Sequence, residues 1–330
     1  MSEYFENFYD WWKNIDKHIL TIVLGLFILG LFFSLVSTSL IASDKLNTNS
    51  YYFFLKHLTF ILLGIVILLF FSILNQKTLI KISIIFFFIS FLCLFLVPFL
   101  GIEVKGSKRW LDPFFLPRFQ PIEILKPFFI IIISILLSLN NRKLYLKYIF
   151  SVGILIPILL LLISQPDLGQ SLLIMLSWLA LIFVSGINIL LFFSFFIIAG
   201  ITVSYLVFFV PKFEYIKLRL ITFIDSSSGN NYQSEKASDA IINGGFFGKG
   251  IGEGTLNSRI PEAHTDYIVS VISEEFGAII VIAIMLTYLI LSYKVIQKIN
   301  LTKDNNIKLI LIGCTSIILL QSFIHIGVNI

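Results

Sequence analysis

From residue 19 onward, apolar runs of about twenty residues alternate with polar connectors. A helix of that length crosses a hydrocarbon core of about 30 Å. The runs lie at about 19–42, 53–74, 79–100, 121–139, 146–163, 168–186, 188–210, 266–293 and 307–330, which predicts nine transmembrane helices. Two connectors are long, 101–120 and 211–265. Ahead of the first run, Glu3, Glu6, Asp10 and Asp16 stand against Lys13 and Lys17, with Tyr4, Phe5, Phe8, Trp11 and Trp12 between them. That is not the basic start of a leader peptide, and no small-residue cleavage site follows. Residues 1–18 therefore read as an amphipathic segment at the cytoplasmic interface, and 19–330 as the membrane domain. No internal repeat shows, which argues against transporter folds built from inverted repeats.

Composition agrees with the pattern: 58% of residues are hydrophobic, 13% are charged, and mean hydropathy is +0.97. A soluble domain carries about a quarter charged residues. The fold class is thus an all-α polytopic membrane protein, and soluble enzymes and secreted domains are excluded. Both cysteines, Cys93 and Cys314, fall inside apolar runs, so neither a disulfide framework nor a thiolate metal site is expected.

Lys and Arg in the connectors set the orientation. With the N-terminus inside, 11 lie on the cytoplasmic side and 13 outside, nearly a tie. The rule weights short connectors, and the short outer ones are poor in cations: Lys45 and Lys56 near the first, none at 164–167. The N-terminus is therefore placed inside. Eleven cations then stand on the outer side at 105–126 and 211–265, where topology does not require them. An anionic ligand would account for them, as would the solubility of two long loops.

The scarce polar residues fall into three clusters. In the first, Gly101 to Trp110 carries Glu103, Lys105, Lys108 and Arg109, and Gln120-Pro121-Ile-Glu123-Ile-Leu-Lys126 follows. Pro121 suits a first helical turn, and Glu123 and Lys126 share a helix face. Arg beside Trp is a common interfacial anchor, yet Arg also offers a planar fork for phosphate oxygens and Lys a point charge. In the second cluster, Ser164-Gln-Pro-Asp167-Leu-Gly169, Ser164 with Asp167 fits helix capping. The third holds six glycines between Gly244 and Gly254, including Gly248 and Gly250, then Pro261-Glu262-Ala-His264-Thr-Asp266, then Glu274-Glu275-Phe-Gly277. The glycines suggest a loop whose amides approach a ligand, but no Gly-Lys-Ser/Thr follows and no strand precedes, so it is neither a Walker loop nor a dinucleotide fingerprint. With Pro261 opening a helix, Glu262 and Asp266 would share its outer face, and Glu274 and Glu275 would lie about 12 Å deeper. A carboxylate at the helix mouth can take a proton from a sugar hydroxyl. Acids within a span need a partner or a wet cavity: a salt bridge to Lys126 or Arg109, or a functional pathway. The histidines are too scattered for a metal site.

Together the clusters resemble the SEDS (shape, elongation, division, sporulation) glycosyltransferases, the FtsW/RodA/SpoVE family. The matching stretches are Gly106-Ser-Lys-Arg109-Trp110 with Gln120 to Lys126, Gln165-Pro-Asp167-Leu-Gly169, Gly244-Gly-Phe-Phe-Gly248-Lys-Gly250, and Pro261-Glu-Ala-His-Thr-Asp266-Tyr-Ile with Glu274-Glu-Phe-Gly277. Pro261 to Asp266, with Gly252-Glu-Gly254, is closer to the division member FtsW than to the elongation member RodA. Ile122 stands where the family usually has Ser. The family continues beyond a motif like Gln321 to Asn329 into a tenth helix, so a chain ending at Ile330 is expected to lack that span.

The resemblance implies polymerisation of lipid II into glycan strands at the outer face of the bacterial cytoplasmic membrane, at the division septum. It makes Asp266 the catalytic base, with Lys108, Arg109, Glu123, Lys126, Asp167, Glu262 and His264 binding substrate and Glu274, Glu275, Gly248 and Gly250 in support. It implies a class B penicillin-binding protein of the FtsI type and other divisome proteins as partners, within membrane lipid and with no nucleic acid. A divalent cation, Mg or Mn, bridging Asp266 and pyrophosphate fits the chemistry, although the sequence shows no dedicated ligand set. Two rival readings are a lipid II flippase, with Glu274 and Glu275 lining its pathway, and a non-catalytic divisome scaffold.

Overall fold

The structure, a computed structural model, describes residues 9, 11–46, 51–104, 106–114, 117–139, 144–214, 216–218, 221, 232–256, 260, 263 and 265–329, with the side chains of 37–46, 144 and 232–234 left aside. Its apolar helices fall on the predicted runs: α1 (Lys17–Leu46), α2 (Tyr52–Ile73), α3 (Gln76–Leu100), α4 (Pro121–Ser138), α5 (Leu144–Ser164), α6 (Leu168–Val184) and α7 (Ile189–Phe209). There follow α8 (Tyr232–Gly244), α9 (Ile268–Phe276), α10 (Ala278–Leu301) and α11 (Asn305–Asn329). Among the described residues eight helices are long and apolar enough to span a membrane, and α6 is a shorter apolar helix. The helix starts follow from local chemistry. Asp16 Oδ1 accepts from the amides of His18 and Ile19 at 3.0 and 3.1 Å to begin α1, Pro121 occupies the first turn of α4, and Asn188 caps α7 through Leu190 N.

The structure departs from the sequence reading at three elements. The run at 266–293 is not one helix: α9 and α10 are separated at Gly277, whose φ is +82°. The connector 101–120 carries a small antiparallel hairpin, β1 (Ile102–Val104) and β2 (Ser107–Trp110), turning at Gly106 and pairing Glu103 with Lys108. The connector 211–265 holds a 3-10 turn (Pro211–Phe213) and the polar helix α8.

The chain divides into two compact units, residues 1–75, 230–294 and 322–330, and residues 76–229 and 295–321. In the second, α4 is the central element: it packs on α3, α5 and α6 and buries Leu125, Phe129, Ile130 and Ile133 completely. Gly313 gives α11 its close approach to Ile130 and Leu181. Helix α7, by contrast, buries only Val207 and is apolar all round, as a lipid-facing helix should be. In the first unit, Phe32 and Phe33 of α1 pack on Phe276 at the end of α9, tilted and edge-on respectively, with ring centroids 5.7 and 5.4 Å apart.

Candidate active site

In the second unit the hairpin, the start of α4 and the turn into α6 converge on Asp167. Its Oδ1 accepts from Gln170 N at 3.3 Å, so Asp167 caps α6. Ser164 does not share the cap; its hydroxyl donates back to Leu161 O within α5. The other carboxylate oxygen accepts from Gln120 Nε2 at 3.0 Å and lies 3.8 Å from Arg109 Nε. Arg109 also donates to the carbonyls of Gln165 and Pro166, which ties β2 to the α5–α6 turn. Burial, with only 5% of the residue exposed, pushes the Asp167 carboxyl above its ordinary value, against the opposing pull of Arg109, the Gln170 amide and Gln120.

From Gln170 the polar chain continues inward. Its Nε2 donates to Glu123 Oε1 at 2.7 Å, Glu123 pairs with Lys126 at 2.6 Å one turn along α4, and Lys126 Nζ donates to Gln321 Oε1 at 2.8 Å. The i, i+3 pair read from the sequence is therefore formed. Its two ends differ: the Lys126 side chain is 3% exposed and Glu123 is 41% exposed. Removing Glu123 would strand a buried ammonium, whereas removing Lys126 would leave a carboxylate that water can reach. Lys108, on the same strand as Arg109, is exposed.

The first unit contains Asp266, Glu274, Glu275 and the glycine run. Asp266 is exposed and sits in a turn, not in a helix, because α9 begins only at Ile268. The shared helical face expected for Glu262 and Asp266 is thus not formed at Asp266, and Glu262 and His264 themselves lie outside the described residues. The turn has a firm seat: Ile260, Ala263, Tyr267 and Val271 pack with Ala237 and Ala240 of α8 in one buried cluster. Each full side chain of Ile or Val size in such a cluster contributes about 1.5–3 kcal/mol.

Glu274 is fully buried, and its carboxylate accepts from neutral donors. Its Oε1 accepts from Asn243 Nδ2, Thr255 N and Leu256 N at 3.1, 3.0 and 3.1 Å. Backbone donors of this kind let a carboxylate survive burial, and here they pin the loop after α8 onto α9. The glycine run serves the same junction. Lys249 N and Gly250 N donate to the carbonyls of Glu274 and Glu275 at 3.0 and 3.1 Å, so these amides are spent on the protein itself. A Cβ at Gly248, where φ is +81°, would collide with the Glu275 carbonyl. Glu275 is buried beside it. Gln120, Gln170, Gln321, Asn243 and Asn329 make site contacts to which the sequence reading gave no role; the available signal was an amide side chain set among apolar neighbours at a helix end.

Helices of membrane-spanning length, with the polar side chains gathered at their ends and in two long connectors, define a polytopic helical membrane protein. The family of cell cycle proteins, FTSW_RODA_SPOVE, matches residues 17–330, and the chain belongs to it. A relative from Francisella salina, named probable peptidoglycan glycosyltransferase FtsW, is 30% identical over 331 residues, 96% of this chain and 80% of its own length. Among solved structures, a chain of a peptidoglycan synthase complex that coordinates polymerization and crosslinking superposes with a TM-score of 0.77 at 21% identity, covering 96% of this chain and 87% of that one. The rod shape determining protein RodA of Thermus thermophilus superposes at 0.67 with 19% identity, covering 96% and 86%. The protein is a bacterial membrane protein with the fold of these relatives.

Proposed function

We propose that this protein is a peptidoglycan glycosyltransferase that polymerises lipid II at the outer face of the cytoplasmic membrane during division. The observation that carries the reading is Asp266: an exposed carboxylate on a turn anchored over a buried cluster, at the position of the family's essential loop aspartate. The acceptor sugar's 4-hydroxyl oxygen attacks the anomeric carbon of the lipid-linked donor. A new glycosidic bond forms as the bond from that carbon to the pyrophosphate oxygen breaks, and undecaprenyl pyrophosphate leaves with the electron pair. Asp266 takes the hydroxyl proton. Lys108 and Arg109, the accessible cations of the hairpin, stabilise charge on the leaving pyrophosphate, and buried Lys126 acts through Glu123. Among the described residues no three His, Cys, Asp or Glu side chains gather as a metal site, so a divalent cation at Asp266 would need phosphate oxygens of the substrate among its ligands. The neutral donors around Glu274 favour a structural role for it over a translocation pathway. A class B penicillin-binding protein is the partner that would supply crosslinking, and the division septum the place.

The test is lipid II polymerisation by the full chain carrying Asp266→Asn. Loss of a general base lowers the rate by about 10²–10⁴-fold, with lipid II binding retained. Polymerisation at the wild-type rate would remove Asp266 from the chemistry, and loss of translocation alone would turn the assignment toward a flippase.

A further inference from the structure

Helix α9 starts without a cap of its own, since Tyr267 at the N-cap position makes no side-chain bond. The cap comes from 59 residues away. Asn329, near the end of α11 and 1% exposed, accepts through Oδ1 from Ser270 N at 3.2 Å and from Ser270 Oγ at 3.0 Å. Its Nδ2 donates to the carbonyl of Asp266 at 2.8 Å and to that of His325 at 2.8 Å. The orientation of the amide is fixed by its partners, because two carbonyls can only accept and a backbone N–H can only donate.

The pair so bridged is informative. In a continuous helix the amide of Ser270 would bond directly to the carbonyl of Asp266, four residues earlier. Here the Asn329 amide is inserted between the two, and Ser270 N turns to Tyr267 O at 3.2 Å instead. Insertion of a side chain into the helical ladder ends the helix at that point. With that bond replaced, Asp266 stays outside α9, which starts at Ile268, its backbone held by the amide and its side chain exposed.

The structure assigns Asn329 as a positioning residue for Asp266, an amide wedge that keeps the reactive carboxylate off the helix. The assignment rests on the reading of Asp266 as the base. It requires both halves of the amide: Asp would keep the acceptor for Ser270 and suit the helix N-terminus, yet lose the N–H donated to the Asp266 carbonyl, and Ala would let the Ser270–Asp266 bond close and draw Asp266 into α9.

The experiment is steady-state polymerisation of lipid II by the full chain in nanodiscs, with melting curves, for N329A, N329D and D266N. A misplacement of about 1 Å costs about 100-fold, so N329A and N329D should lose about that factor in kcat with KM within about twofold, while keeping a cooperative melt. Adding N329A to D266N should cause no further loss, because the two act as a unit. Wild-type kcat in either folded Asn329 variant overturns the inference while leaving the base assignment standing. Wild-type kcat in D266N removes the base and the inference with it. Absence of a melting transition in both Asn329 variants would make Asn329 a folding residue and likewise overturn it.

Discussion

At the scale of single residues, Asp167 joins two demands that pull its carboxyl in opposite directions. Burial favours the protonated form, while the Arg109 guanidinium and the amide donors favour the charged one, and burial prevails. A carboxyl whose value in the fold lies above its unfolded value of about 3.8 stabilises the fold below that pH and loses the contribution as pH rises through the raised value. D167N keeps an acceptor for the α6 cap but does not titrate. Melting temperatures of the two proteins from pH 4 to pH 8 should therefore diverge, with the wild type falling relative to D167N as pH rises and then running parallel. A constant difference would refute the burial argument. Asp167 as a cap and the Glu123–Lys126 pair were legible in the sequence because both are local patterns. Their remaining partners were not: Gln120 and Gln170 reach across 47 residues and Gln321 across 195. Neutral amides at such distances leave no periodic trace.

At the scale of elements, the apolar runs were legible because run length alone separates a span from a connector. The break at Gly277 was not, since Glu274-Glu275-Phe-Gly reads as a helix continuing into an apolar run. The short hairpin was hidden for the same reason, as three-residue strands carry no measurable alternation. Two glycines separate the causes of the break. Gly277 has φ +82° and its Cβ would strike the Phe246 carbonyl; Gly245 has φ +57° with open space around its Cβ. G245A should cost about 1–2 kcal/mol, the ordinary penalty of the left-handed region. G277A carries that penalty and must also part the 246–248 loop from the α9–α10 junction, so its melting temperature should fall distinctly further. Equal melting temperatures for the two variants would mean that backbone conformation, not close approach, sets the junction.

At the scale of the whole molecule, the question is where the scarce charge lies relative to the membrane. The proposed orientation, N-terminus inside, assigns eleven of the 24 Lys and Arg residues, those at 105–126 and 211–265, to the outer face, where an anionic lipid-linked sugar would be met. Lys108 and Lys249 lie in those segments and Lys77 and Lys303 in connectors assigned to the cytoplasm, and all four are exposed. In a chain with Cys93 and Cys314 replaced by Ser, K108C and K249C should react with a membrane-impermeant maleimide in intact spheroplasts. K77C and K303C should react only after permeabilisation. The reverse pattern would put the Arg109 hairpin and the glycine run in the cytoplasm, and Asp266 with them, since among the described residues no helix long and apolar enough to span a membrane lies between it and Lys249. Polymerisation at the outer face would then be excluded however complete the site chemistry, because the carboxylate and its substrate would be on opposite sides of the bilayer.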